Sequence, residues 1–404
     1  MLKFALKNMA IKKVQVILII VSIIISASVG VLAFNVSSQV SDGITDNARY
    51  YSLIIGPSGS KTQLAMNSMY FTDEPLGTIP YSVVTELKNN PNVISAIPYA
   101  MADSYNGSSV VGTTPLFLAD KTVKEGVMFE EGKTMQAVVG ARVAKENGLK
   151  VGDTIHTSHS AIEGDHHEEG IVVVGILEET YSVYDKVVFT EIQTLWEMHD
   201  HKDGSHEDDG DSHEGEEHHI HGSVCAILIN TKNPTYAMQL VNEYDGKIYN
   251  DGEDSFSLQA IEPMEIVRGV LEETDDTKYI VFVLCAIILI MNIIVISIIT
   301  LLNMYHSAKE ISLMRLIGIS MRKINLLYLI QNGIIGLLST LCAFGVSRLC
   351  LALVSDYVSS MGVVLNMGKV YFPEILILLG IFLISVIPTV ICTFVMAKRD
   401  SLAE

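Results

Sequence analysis

The sequence predicts a membrane α-helical protein with four transmembrane helices and a large extracytoplasmic α+β domain between helices 1 and 2. The 404-residue chain is 49% hydrophobic, and its apolar residues concentrate in four long runs. Each run is about as long as the ~20 residues that cross a hydrocarbon core. The segment between the first two runs, residues 35–278, alternates short β-branched runs with helix-like stretches. These observations together indicate a membrane-anchored folded domain.

The first apolar run, residues 14–34, has two interpretations. Lys3, Lys7, Lys12 and Lys13 precede it as a basic region, as in a cleaved signal peptide. Its apolar core is longer than the roughly 7–15 residues of a signal peptide, which favours a membrane anchor.

Basic residues near the ends of the runs predict the orientation. Lysine and arginine accumulate in the N-terminal tail, in the loop 303–323 and after residue 397. Cytoplasmic segments carry this excess of basic residues, so both termini are expected in the cytoplasm of a cell-membrane protein. The predicted division is a tail 1–13, helix 14–34, extracytoplasmic domain 35–278, helix 279–302, cytoplasmic loop 303–323, helix 324–350, extracytoplasmic loop 351–372, helix 373–396 and tail 397–404.

Charge and cysteine content exclude several classes of protein. The formal net charge is -19, and acidic runs lie at 207–211 and 214–217. Nucleic acid is therefore not expected as a partner. Cys225 is the one cysteine of segment 35–278, which excludes an internal disulfide and a cysteine-rich zinc site there. No charged residue lies near the middle of an apolar run, so the acidic relay of a proton-driven transporter is absent.

Segment 35–278 reads as one α+β unit. Strand-like runs rich in Val, Ile and Tyr begin at Tyr50 and recur along the segment. Helix-like stretches are expected at 80–90, 140–148, 190–198 and 234–245. The tract 199–221 has almost no apolar residue, so it cannot bury a core and is expected to be a mobile inserted loop.

GPSGSKT at 56–62 superficially resembles a phosphate-binding loop. That motif needs four residues between its first and last glycine, directly followed by Lys-Ser/Thr, and here Ser60 separates Gly59 from Lys61. A glycine-rich turn after a strand is the better interpretation.

The histidines are the strongest chemical signal. Eleven of the twelve lie between positions 156 and 221, interleaved with carboxylates. Imidazole and carboxylate together suit Zn2+ or another divalent transition metal, and neighbouring acids orient ligating rings. The alternative is a solvated polar loop that binds metal incidentally. The candidate ligands are His156, His159, His166, His167, His199, His201, His206, His213, His218, His219 and His221.

His156 and His159 lie beside a strand-like stretch and are candidates for fixed ligands that the loop completes. Residues at i and i+3 of a strand point to opposite faces, which argues against both binding one ion.

The cytoplasmic loop contains the sequence EISLMRLIGIS at 310–320. Its apolar residues fall on one helical face, with charged residues around them and Gly318 as a break. Such a helix either lies on membrane lipid or docks into a groove of a cytoplasmic partner.

This loop, together with one helix, a large outer domain and three further helices, resembles the MacB/FtsX-like permeases of ABC transporters. The segments beginning at Gly56, Pro75 and Val138 resemble a subgroup with His-rich loops that is associated with zinc homeostasis. The resemblance implies a homodimeric permease bound to cytoplasmic ABC ATPase subunits, with ATP hydrolysis in the separate subunit. It implies ATPase coupling by Glu310, Leu313, Arg315, Leu316 and Gly318.

Several functions fit this architecture. One is a metal-linked permease with an extracytoplasmic metal-binding or envelope protein as a candidate further partner. A second is an exporter of peptides or amphiphiles, and a third is a cargo-free mechanotransmission or signalling module. A membrane-tethered enzyme is disfavoured because neither a G-x-S-x-G elbow nor an H-E-x-x-H helix is present.

Overall fold

The computed structural model describes residues 2–158, 169–200, 222–252, 254–272, 313–359 and 363–400, with scattered residues between 283 and 298. It divides into two compact units. The membrane unit comprises Met1–Val40, Glu273–Asp356 and Asn366–Glu404. The outer domain comprises Ser41–Glu272 and Tyr357–Leu365.

The helices are α1 Leu2–Ile11, α2 Lys13–Ala48, α3 Lys61–Tyr70, α4 Ser82–Lys88, α5 Ala141–Asn147, α6 Ile192–Asp200, α7 Pro234–Tyr244, α8 at 263–272, α9 Met321–Ser359 and α10 Phe372–Asp400. The strands are β1 Leu53–Pro57, β2 Ile79–Pro80, β3 Val93–Tyr105, β4 Ser108–Thr113, β5 Val123–Gly126, β6 Gln136–Val139, β7 Thr154–Ile155, β8 Ile171–Leu177, β9 Val188–Glu191, β10 Ser223–Val224, β11 Ala226–Thr231, β12 Ile248–Asp251 and β13 Asp254–Ile261.

The membrane-type helices are longer than their apolar runs. Helix α2 continues through the polar stretch after residue 34 and ends at Ala48. In this extension Asn35 and Gln39, four residues apart on one helical face, are buried and hydrogen-bonded. Helix α9 likewise continues nine residues beyond the predicted end at 350.

By length and composition, Lys13–Ala48 and Leu326–Ser355 can cross a membrane, and Phe372–Ile387 is a shorter apolar helix. Most of the predicted helix 279–302 lies outside the described residues, so the count of four helices stays a prediction.

A small apolar core joins three helices of the membrane unit. Val16, Ile19, Ile23 and Ala27 of α2 recur at helical spacing and pack with α9 and α10. The partners on those helices are Ile335, Ala343 and Ile381. At Gly336 of α9, an added Cβ would lie only 2.2 Å from the Ser385 hydroxyl oxygen of α10. Small residues therefore permit close helix approach here.

The outer domain is built on a sheet whose strand order is β12-β13-β1-β11-β3-β4-β9-β6-β8-β5, with β7 also paired to β8. The β4–β9 and β6–β8 pairs are parallel and the other pairs are antiparallel. Strand β3 is shared by both halves of the sheet. Its first part, from Val93 to Tyr99, pairs with β11, and its second part, from Ala100 to Tyr105, pairs with β4.

Aromatic side chains fill the centre of this domain. Phe189 of β9 is fully buried, and its ring centroid lies 5.8 Å from that of Tyr184 and 5.9 Å from those of Phe71 and Phe117. Aromatic pairs at these separations stabilise beyond the area that they bury. The β-branched runs of the sequence therefore form the sheet, and the aromatic residues close its core.

Helix α3 is not among the predicted helices. Its buried face includes Asn67 and Ser68, so the sequence lacks a clean apolar period there. The polar groups are satisfied locally: Ser68 Oγ donates to the Leu64 carbonyl at 2.6 Å, and Asn67 Nδ2 donates to the Asp73 carbonyl at 2.5 Å. Buried polar groups with such partners are compatible with a core helix.

Candidate functional site

The predicted coupling segment ends in a helical turn that is closed at Gly318. The backbone N–H of Gly318 donates to the Arg315 carbonyl at 2.9 Å, and that of Ile319 donates to the Met314 carbonyl at 3.0 Å. Gly318 has φ +88°, in the left-handed region. This is the Schellman arrangement, in which a glycine ends a helix and satisfies its last carbonyls. The glycine predicted as a break thus defines the direction in which the chain leaves the turn.

One apolar side chain of the turn packs against α9, and three others are exposed. Met314 packs against Ile324 and Tyr328 at the start of α9. Leu313, Leu316 and Ile317 point outward and are 59%, 83% and 79% exposed. We call these three residues the apolar turn.

Arg315 lies on the same turn and is exposed. Glu310, the remaining predicted coupling residue, lies outside the described residues. The sequence pattern thus identified a segment that presents apolar side chains to its surroundings.

One described residue from each of the two histidine-bearing segments of the outer domain lies against Asp103. This aspartate is buried in β3, directly after an irregularity in the β3–β4 register. Bulges of this kind redirect a side chain. The carboxylate accepts a hydrogen bond from Thr157 Oγ1 at 3.2 Å, and its other oxygen lies 3.5 Å from His199 Nε2. Thr157 lies between His156 and His159 of the first segment, and His199, at the end of α6, is the first residue of the second.

Sequence reasoning missed Asp103 and Thr157. A single aspartate in a strand carries no sequence signal of its own, and the two segments are distant along the chain. Antiparallel backbone bonds between Ser104 and Ser158, of 2.8 and 2.9 Å, hold the first segment in place. These contacts become visible only once the fold is known.

The predicted metal ligands are only partly described. His156 is exposed beside β7, and the structure describes His199, whereas His159, His166, His167, His201, His206, His213, His218, His219 and His221 lie outside the described residues. Among the residues that the structure describes, no three His, Cys, Asp or Glu side chains form a group that could hold a metal ion. The pair His199 and Asp103 supplies fewer than the four ligands of a structural zinc site.

The GPSGSKT segment forms a strand, a turn and a helix start. Ser60 caps α3 by accepting a hydrogen bond from the Gln63 backbone N–H at 3.2 Å. Lys61 Nζ lies 2.8 Å from Asp245 Oδ2. The lysine therefore begins a helix and pairs with a carboxylate, and the bend before it lies at Ser58 and Gly59.

Comparison with known proteins gives two adjacent matches. The MacB-like periplasmic core domain matches residues 16–243, and the FtsX-like permease C-terminal family matches residues 280–400. No curated protein sequence matches the chain.

Two solved structures are similar to parts of it. The first is the periplasmic region of MacB from Actinobacillus actinomycetemcomitans, with 11% identity and a TM-score of 0.35, covering 56% of this chain and 97% of that chain. The second is the extracellular domain of the noncanonic ABC-type transporter YknZ from Gram-positive bacteria, with 12% identity and a TM-score of 0.32. The match covers 52% of this chain and 98% of that chain.

The two families follow one another along the chain in the order expected from the helix–outer domain–helices arrangement. The first alone matches more than half of the 404 residues. The chain therefore belongs to the MacB/FtsX-type family of ABC transporter permeases, membrane proteins that work with cytoplasmic ATPase partners.

Proposed function

We propose that this protein is the permease subunit of an ATP-driven ABC transporter that transmits mechanical movement from cytoplasmic ATPases to its outer domain. In this proposal the subunit acts as a homodimer with four transmembrane helices and cytoplasmic termini. ATP is hydrolysed in the separate ATPase subunit. The observation that carries the proposal is the apolar turn.

Three large apolar side chains that are more than half exposed on one short turn are costly to leave in water. Burial of apolar surface contributes about 25 cal/mol per Å2, so covering these side chains favours association. Contiguous exposed apolar surface of this kind marks an interaction site. The Schellman closure at Gly318 and the packing of Met314 fix the turn to the start of α9. A displacement of the turn by a bound ATPase would therefore be transmitted to helix α9.

Leu316→Asp is expected to weaken binding of the ATPase by at least about tenfold, which corresponds to about 1.4 kcal/mol. Leu316 is the most exposed of the three residues, so the change does not disturb a core, while a buried unpaired carboxylate in the interface is unfavourable. The measurement is the ratio of ATPase to permease after purification of the full-length complex.

Ile248→Asp is the matched control. Ile248 is 67% exposed but lies on β12 of the outer domain. This variant should retain the wild-type ATPase ratio. Equal retention of the ATPase by Leu316→Asp would contradict the assignment of the turn as the docking element.

We also propose that the histidine-rich segments bind a divalent transition metal, with Zn2+ as the first candidate. The interleaving of imidazoles with carboxylates supports this, and so does the placement of His199 beside the buried Asp103. A carboxylate next to a ligating imidazole orients the ring and raises its basicity.

Titration of the full-length protein with zinc chloride, followed by calorimetry, is expected to show saturable binding. His199→Ala should weaken that binding about 10- to 100-fold, as loss of an orienting or ligating group does. Lys61→Ala, which removes a surface side chain of the same domain, is the control and should leave binding unchanged. Unchanged zinc affinity of the His199 variant would remove this residue from the site, and absence of saturable binding in the wild type would contradict the metal role.

A further inference from the structure

A buried ion pair lies inside the segments that are apolar enough to enter the membrane. Arg348 belongs to the span Leu326–Ser355, and Glu374 belongs to the apolar helix Phe372–Ile387. The Arg348 Nη2 group donates to Glu374 Oε2, and Nη1 donates to the Lys369 carbonyl at 3.0 Å. Glu374 is fully buried and the Arg348 side chain is 15% exposed. The pair thus connects α9, α10 and the segment between them.

Helix α2 joins this pair through two amide side chains. Asn35 Nδ2 donates to Glu374 Oε1 and to the Lys369 carbonyl. Gln39 Nε2 donates to Asn35 Oδ1 at 2.5 Å and to the Asn366 carbonyl at 3.0 Å, and its Oε1 accepts from the Asn366 backbone N–H at 2.7 Å. We call Asn35, Gln39, Arg348 and Glu374 the polar joint.

Aromatic side chains lie next to the residues of the polar joint. The rings of Phe34 and Tyr371 meet edge to face with centroids 6.2 Å apart. The guanidinium carbon of Arg348 lies 4.8 Å from the Phe344 ring centroid. Asn35, Gln39 and Glu374 are themselves buried, so their hydrogen bonds act in a low-dielectric environment where they are strong and directional.

Stability alone is a weak reason for such an arrangement. Desolvation of a buried ion pair offsets most of its attraction, and apolar replacements of both partners are often equally stable. Charged residues within membrane segments mark functional positions for the same reason. The polar joint fixes one register among three helices, which an apolar core does not do. The distant apolar contacts of Ile23 and Ile381 lack that directionality.

We propose that the polar joint is the element through which movement of α9 and α10 is transmitted to α2. This inference rests on the proposed function, because it assigns the positioning residues for mechanical coupling. When α9 and α10 shift, the bonds of Glu374 to Asn35 and of Asn366 to Gln39 oblige α2 to follow. Asn35, Gln39, Arg348 and Glu374 are positioning residues that touch no nucleotide.

The test uses the full-length permease co-purified with its cognate ABC ATPase in lipid nanodiscs. Arg348→Met combined with Glu374→Leu removes both charges together, so no unpaired charge remains buried. Gln39→Leu, a second and independent variant, leaves the ion pair and its bond to Asn35 in place and removes the two bonds that tie α2 to Asn366. Arg142→Met combined with Glu146→Leu is the matched control, since that pair is an i, i+4 ion pair on the surface of α5.

Both joint variants are expected to lower permease-stimulated ATP hydrolysis at least about tenfold. The ATPase-to-permease ratio and the melting temperature of the complex should stay at wild-type values, and the surface control should match the wild type throughout. A merely structural role would instead lower the melting temperature or the ATPase ratio of both joint variants.

Wild-type rates of stimulated ATP hydrolysis in both joint variants would overturn the inference. Loss of the bound ATPase from both variants would also overturn it. Loss of stimulated hydrolysis with intact assembly supports it. A failure of the proposed function looks different: the wild-type permease itself would neither bind nor stimulate the ATPase.

Discussion

Phe189→Ala is expected to lower the free energy of unfolding of the outer domain by about 3–5 kcal/mol, the usual cost of removing a buried phenylalanine ring. Phe189 lies on β9 between β4 and β6, and it contacts three further aromatic rings. The cavity would open in the centre of the sheet, where β-strand neighbours on both sides limit collapse.

Cys225 provides the readout for this change. The thiol is buried, and burial raises its pKa to about 11, so the folded domain holds it as an unreactive thiol at neutral pH. In a full-length protein whose four other cysteines are replaced, labelling of Cys225 over a denaturant series reports unfolding of the outer domain. Ile94→Ala, at a position that is 67% exposed, is the control and should change stability by less than about 0.5 kcal/mol. A Phe189 variant as stable as this control would contradict the central role of the aromatic core.

Gly126→Ala is expected to destabilise the β5–β8 edge of the same domain by about 2–5 kcal/mol, through left-handed strain and overpacking combined. Gly126 has φ +81°, and an added Cβ would lie 2.1 Å from the Val174 carbonyl oxygen. Its paired residue on β8 is Gly175, where the backbones approach closely.

Gly132→Ala separates the two causes. Gly132 has φ +78°, but an added Cβ there meets nothing within 4 Å. This variant should cost only the left-handed strain of about 1–2 kcal/mol. The same Cys225 labelling measures both, and equal losses for the two variants would show that the contact with Val174 adds nothing.

The sequence predicted the elements whose signal is local. Runs of β-branched residues identified β3, β8 and β11, because those side chains pack well on the pleated surface of a sheet. The pattern around Gly318 predicted the end of a helical turn, since the left-handed closure needs a residue without a Cβ.

The sequence did not predict contacts between residues that are distant along the chain. Asp103 and His199 are 96 positions apart along the chain, and no period or spacing connects them. Arg348 and Glu374 lie near the ends of apolar runs, where charged residues ordinarily indicate the membrane boundary rather than a buried pair. Helix α3 was missed for a related reason, because its inner face carries Asn67 and Ser68 in place of apolar side chains.

The shared strand β3 has a consequence for how the outer domain carries load. Because one uninterrupted strand from Val93 to Tyr105 belongs to both halves of the sheet, no flexible linker separates them. A force applied to the β11 side therefore reaches the β4 side through one continuous stretch of backbone. The ladder bonds lie across the strand axis, so a pull along β3 would load many of them in shear at once. A load on one half of the sheet is thus shared with the other half without a linker that must first be stretched.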